Sequence, residues 1–143
     1  MARILIAEDE AALREFISRA LIHHGHEVVA VGDGADALVT LQRGQPFDLL
    51  LTDIVMPVMD GIALALKVAK EFPDLRILMM TGYAAERQRA YNLDVLIHDV
   101  IAKPFTLAEI CEKVTEALTS DRTNLRPATT VDRGLQQKRQ DNP

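Results

Sequence analysis

LLLTDIVMPVMDG, residues 49–61, is an apolar run that stops on a carboxylate, Asp53. Leu49, Leu50 and Leu51 follow one another without alternation, the pattern of a strand covered on both faces, and such strands belong to parallel sheets flanked by helices. The run predicts a strand over residues 48–52 that delivers Asp53 at its carboxyl end. Asp60 then suits the N-cap of a following helix, and Gly61 permits close backbone packing there. A strand driven through the core to present an acid must place that acid against something.

Outward from this stretch, short β-branched or Leu-rich runs alternate with longer segments of helical apolar spacing, which predicts an α/β fold built on a parallel sheet. Strands are expected over residues 3–7, 27–31, 48–52, 76–81 and 99–102. The first helix should bury Leu13, Phe16, Ile17, Ala20 and Leu21 and stop near Gly25. A shorter helix over residues 35–43 follows the turn at Asp33-Gly34. A third, over residues 60–72, ends before Pro73, because the residue preceding proline disfavours helical geometry. The final helix begins at Thr106, with Glu109 three residues on as in a capping box, and should bury Leu107, Ile110, Cys111, Val114 and Leu118. Between the fourth and fifth strands, residues 84–92 offer only small or scattered apolar groups, so a helix there gains little packing energy.

Composition limits what the site can be for. With 143 residues and 48% apolar content the chain buries one core, and no run approaches membrane-spanning length. The start, MARILIAEDE, has acids where a signal peptide needs apolar residues, so a cytoplasmic location is expected. One cysteine, Cys111, excludes an internal disulfide and reads as a core thiol. A net charge of −5 lacks the basic footprint of nucleic-acid binding. Residues 1–120 read as the folded domain, whereas residues 121–143 are polar and mildly basic and read as a disordered tail too short for an output domain.

In open α/β sheets ligands sit beyond the carboxyl ends of the strands. There the chain delivers Glu8 and Asp9 after strand one, Asp53 after strand three, Thr81 after strand four and Lys103 after strand five. Carboxylates packed together repel unless a cation shares them, and an oxygen-only ligand set favours Mg2+. Acids with one ammonium suit a phosphoryl group held between metal and lysine, with Asp53 as the nucleophile and Thr81 and Lys103 touching the transferred oxygens. The histidines His23, His24 and His26 lack metal-ligand spacing, and His98 reads as a surface residue.

These residues resemble the receiver domains of two-component response regulators, with the CheY-like fold. The matching motifs run in order through Glu8-Asp9, Asp53 with Met56-Pro57 and Asp60-Gly61, Thr81-Gly82, and Lys103-Pro104-Phe105, and the likeness covers residues 2–120. It implies a five-stranded parallel sheet in the order 2-1-3-4-5 with helices on both faces. It also implies that Asp53 is the phosphoacceptor, that Asp9, Asp53 and the Val55 carbonyl ligate Mg2+ with Glu8 assisting through water, and that Thr81 and Lys103 engage the phosphoryl group. The implied phosphodonor is a histidine kinase or a histidine phosphotransferase. Such a protein is a phosphoacceptor with at most slow self-dephosphorylation rather than an enzyme.

Two departures stand out. The aromatic switch residue usual three positions before the lysine is Val100 here, and Leu96-Ile97 replaces a common Gly-Ala pair. Tyr83 is placed to take over part of the gating, and Val55 with Tyr83 to hinder water. Within the family, the stretch from Met80 to Leu107 looks most like the CpdR type, which implies a single-domain regulator that directs substrates to the ClpXP protease when unphosphorylated. The rivals are a phosphorelay shuttle, an Asp-nucleophile phosphatase of the haloacid dehalogenase kind, and a flavodoxin-like cofactor binder. A phosphatase of that kind needs a second Asp where Val55 stands, and Glu8, Asp9 and Glu10 would repel a cofactor phosphate.

Overall fold

The computed structural model describes residues 1–82, 88–90, 93 and 96–120. In chain order the elements are β1 (Arg3–Ala7), α1 (Ala11–His23), β2 (Glu27–Val31), α2 (Gly34–Gln42), β3 (Leu49–Asp53), α3 (Gly61–Glu71), β4 (Arg76–Thr81), β5 (Asp99–Ala102) and α4 (Leu107–Thr119). The strands form one parallel sheet in the order β2-β1-β3-β4-β5, as expected. Residues 88–90 are helical, within the segment whose helix was expected to be weakest, and the rest of that segment and residues 121–143 lie outside the described residues.

Because strand side chains alternate in direction, the central strands feed two apolar layers. Leu5, Leu50, Ile77 and Met79 pack with Leu41, Leu64, Ala65 and Val68 of α2 and α3. On the other face Ile4, Ile6, Leu49, Leu51, Leu78 and Met80 pack with Ile17, Leu21, Ile110 and Val114 of α1 and α4. Every residue of β3 is buried, which accounts for its unalternating sequence. Burial of each leucine contributes roughly 1.5–3 kcal/mol, so the strand bearing Asp53 is anchored firmly.

Several boundaries differ from the expectation. β3 starts and ends one residue later, because Asp48 accepts the Arg3 N–H at 2.8 Å before the strand while Ile54 N–H extends the ladder past Asp53 to the Met80 carbonyl at 3.2 Å. α2 starts and ends one residue earlier than expected, with Asp33 of the expected turn as its N-cap accepting from Asp36 N–H at 2.8 Å, and α3 runs one residue shorter at each end, with Asp60 the N-cap as expected, accepting from Ala63 N–H at 2.8 Å. The Thr106–Glu109 capping box forms as expected.

Four side chains depart from their expected environments. Phe16 and Leu107 are 40% and 50% exposed rather than core. On α1 the arc facing the sheet is filled by Ile17, Ala20 and Leu21, which turns Phe16 outward, and Leu107 occupies the first turn of α4 on its exposed side. His98, expected at the surface, has a side chain only 7% exposed and lies 3.9 Å from Glu116, because the start of β5 is covered by α4. Cys111 is half-buried rather than fully core, its sulfur 3.9 Å from the Ala20 carbonyl, and burial pushes its thiol pKa up, away from thiolate chemistry.

Candidate phosphoacceptor site

The parallel register aligns the strand ends. Ala7 lies opposite Thr52, Asp53 opposite Met80, and Thr81 opposite Ala102, so Glu8, Asp53, Thr81 and Lys103 emerge on one edge of the sheet. Asp53 is 6% exposed and both of its oxygens are held. Oδ1 accepts the Ile54 N–H at 2.8 Å, and Oδ2 accepts from Lys103 Nζ at 3.0 Å. Lys103 also donates to Glu8 Oε1 at 3.1 Å, bridging two carboxylates that are 50 and 95 residues away in the chain.

Glu8 is buried, and its other oxygen accepts the Glu10 N–H at 3.0 Å. Burial raises its pKa, the Glu10 hydrogen bond opposes this, and the Asp53 charge raises it further. For Lys103, burial alone would lower the pKa. The hydrogen bond and charge of Asp53, joined by Glu8, outweigh it and hold the ammonium above its ordinary value. Lys103 therefore stays charged across the physiological range, a fixed cation beside the acid.

Glu8, Asp9 and Asp53 each offer a carboxylate oxygen, and these atoms lie within 4.8 Å of one another. One of the three is exposed, so the group opens to solvent on the Asp9 side. Two buried acids share a single ammonium, which leaves excess negative charge where an oxygen-seeking divalent cation fits. Among the described residues this is the group of metal-ligand type, and the histidines His23, His24 and His26 form none.

The loop after Asp53 is pinned to the site. Gly61 N–H donates to the Ile54 carbonyl at 2.7 Å, and a Cβ at Gly61 would overlap the Asp53 carbonyl oxygen. At the other side, Gly34 N–H donates to the Met59 carbonyl at 3.1 Å. Val55 follows Asp53 by two positions with its side chain 51% exposed. Thr81 is buried at 1% exposure on the neighbouring strand. Val100 is buried in the apolar layer that also contains Ala90 and Ile97, so a small aliphatic group stands where the resemblance led one to expect an aromatic ring. Tyr83 lies outside the described residues. Sequence reasoning did not anticipate Arg89, whose guanidinium lies 3.7 Å from Asp60, the N-cap of α3, and ties residues 88–90 to the loop below Asp53.

Residues 4–115 match the family model of the response regulator receiver domain. The chain belongs to the response regulator receiver family. This receiver is 42% identical over 118 residues to the response regulator receiver protein CpdR of Brucella abortus, a match covering 82% of this chain and 98% of that protein. It is 34% identical to the response regulator MprA of Mycobacterium leprae, but there it spans 78% of its own length and only 49% of the relative. Among solved structures, TrrA of Thermotoga maritima, crystallised in complex with Mg2+-BeF, superposes with a TM-score of 0.75 at 30% identity, covering 82% of this chain and all of that one. The chemotaxis regulator CheY4 of Vibrio cholerae gives a TM-score of 0.76 at 28% identity, covering 82% and 99%. The fold is thus CheY-like, as the sequence motifs implied. Among the described residues no helix is long and apolar enough to cross a membrane.

Proposed function

We propose that this receiver accepts a phosphoryl group on Asp53 from a phosphohistidine of a histidine kinase or histidine phosphotransferase, with Mg2+ as cofactor, and answers by altering a protein-binding surface. The observation that carries this reading is the Asp53 carboxylate, locked at both oxygens at the end of a fully buried strand and set beside Lys103 and two further acids. Rigid placement matters because in-line phosphoryl transfer draws its rate mainly from alignment and charge neutralisation.

In the proposed step an Asp53 oxygen forms a bond to phosphorus as the donor's P–N bond breaks. The electron pair returns to the donor imidazole, which regains a proton from solvent, and the product is an acyl phosphate. Lys103, already 3.0 Å from Asp53 Oδ2, turns to a phosphoryl oxygen, and the Thr81 hydroxyl donates to another. Asp9, Asp53 and the Val55 carbonyl, with Glu8 through water, would hold Mg2+, which supplies positive charge to the phosphoryl oxygens when bound. Val55 leaves the site without the second acid of an Asp-nucleophile phosphatase. The acyl phosphate is therefore hydrolysed slowly, water giving inorganic phosphate and the free Asp53 carboxylate, with Val55 and Tyr83 limiting access of that water, and the protein acts as a signal carrier rather than an enzyme.

The 42% identity to CpdR over nearly all of that protein supports a finer reading. In it, the unphosphorylated receiver presents substrates to the ClpXP protease in the cytoplasm during bacterial cell-cycle control, and phosphorylation ends the contact. Incubation with acetyl phosphate and Mg2+, followed by intact-mass measurement, tests the central claim: the wild type should gain one phosphoryl mass and Asp53→Asn none. A labelled Asp53→Asn protein, or an unlabelled wild type, would refute it. For the adaptor role, ClpXP degradation of candidate substrates should accelerate with the unphosphorylated receiver and not with the phosphorylated one.

A further inference from the structure

The turn from β1 into α1 carries Glu8 and Asp9, yet α1 starts without a side-chain cap: Glu10 occupies the N-cap position and makes no capping hydrogen bond. Another side chain closes the turn. Arg14, half-buried near the start of α1, donates from Nη1 to the Glu8 carbonyl at 2.7 Å. A Cβ on Gly32 would stand 3.5 Å from that same Nη1, so the guanidinium is lodged between the ends of β1 and β2.

Every polar group of Glu8 is thereby held. Its N–H donates to the Val31 carbonyl at 3.1 Å, its carboxylate accepts from Lys103 Nζ at 3.1 Å and from Glu10 N–H at 3.0 Å, and its carbonyl accepts from Arg14. Arg14 N–H also donates to the Glu10 carbonyl at 2.9 Å. The backbone is therefore bonded on both sides of Asp9, the exposed member of the acid trio whose oxygens lie within 4.8 Å of one another.

We infer that Arg14 is a positioning residue for the Mg2+ site, acting through the Glu8 carbonyl to fix the backbone from which Asp9 reaches the cation. The inference rests on the Mg2+ reading proposed above. A charged donor on a carbonyl makes a short, strong bond. Removing groups that orient metal ligands from outside the ligand set weakens affinity by roughly ten- to a hundredfold. Charge alone predicts the opposite sign, because a neutral residue 14 takes a positive charge away from a cation site and should tighten binding. The direction of the change therefore separates positioning from charge.

Titration calorimetry of the full chain with MgCl2 at constant ionic strength tests it. Arg14→Gln, in which glutamine sustains a helix about as well as arginine and whose fold is checked by circular dichroism, should bind Mg2+ roughly tenfold more weakly than wild type. Arg14→Lys keeps the charge and a donor and should fall between the two. Arg19→Gln, which removes the same charge from an exposed site on the same helix, should bind as the wild type does. In the metal-free protein the Glu8 and Glu10 amides of Arg14→Gln should exchange hydrogen about tenfold faster, the factor expected from one lost charged hydrogen bond. Acetyl phosphate labelling of Arg14→Gln should slow about tenfold at low Mg2+ and match wild type at saturating Mg2+, since the reacting groups are untouched. Equal or tighter Mg2+ binding by Arg14→Gln, or an equal loss in Arg19→Gln, would overturn the inference and leave the reading of the site intact. A wild type that binds no Mg2+ would overturn both.

Discussion

At the scale of single residues, Val58 has the least comfortable backbone in the site. Its φ of 69° lies in the left-handed region, where a β-branched side chain clashes with its own backbone, and at 84% exposure no packing offsets the cost of about 1–2 kcal/mol. Hydrogen bonds on either side hold the turn, Met59 N–H to the Pro57 carbonyl at 2.8 Å and Gly34 N–H to the Met59 carbonyl at 3.1 Å. Asn tolerates this conformation, so Val58→Asn should raise stability by about 1 kcal/mol, read as a thermal midpoint a few degrees higher. Gly61 behaves oppositely. Its replacement by Ala would drive a methyl into the Asp53 carbonyl, and Gly61→Ala should lose about 1–3 kcal/mol in urea unfolding and label more slowly with acetyl phosphate. The contacts at Gly61 are all with backbone atoms; the motif Asp60-Gly61 was readable as structural because Asp favours N-caps and Gly permits close approach, while Val58 gave no signal in the sequence.

At the scale of elements, the caps and strand starts carry the informative chemistry. β2 begins beside His26, whose Nδ1 accepts the Ala2 N–H at 3.2 Å and so requires a neutral ring. Burial, then the nearby His24 and the chain amino group, lowers the His26 pKa below its ordinary value of 6.5. The unfolded chain therefore takes up a proton that the folded chain resists, and stability falls as pH drops below 6.5 toward the folded-state pKa. Urea midpoints measured at intervals from about pH 7.5 to 5.5 should decline in the wild type and flatten in His26→Asn. At the other end of the chain, Thr106 and Glu109 cap α4 reciprocally, with bonds of 3.1 and 2.7 Å. Thr106→Ala should cost about 1 kcal/mol, measured by denaturant unfolding.

For the whole molecule, the sheet's carboxyl edge concentrates negative charge that Lys103 only partly neutralises. A divalent cation that binds the folded state alone stabilises it in proportion to the logarithm of its concentration. Mg2+ titration should raise the wild-type thermal midpoint progressively, and Asp9→Asn or Asp53→Asn, each lacking one oxygen ligand charge, should respond much less.

The order of acids, hydroxyl and lysine at the strand ends was determined by sequence alone, because a parallel sheet brings every carboxyl end to one edge and unalternating runs such as Leu49 to Leu51 can only be buried on both faces. Periodicity within an element records its apolar arc but not which neighbour covers it. Phe16, Leu107 and His98 were misread for that reason: their exposure depends on how α1, β5 and α4 pack, not on local spacing. The bridge from Lys103 to both Glu8 and Asp53 likewise belongs to the tertiary structure, since only the sheet register brings groups 50 and 95 residues apart within hydrogen-bonding distance.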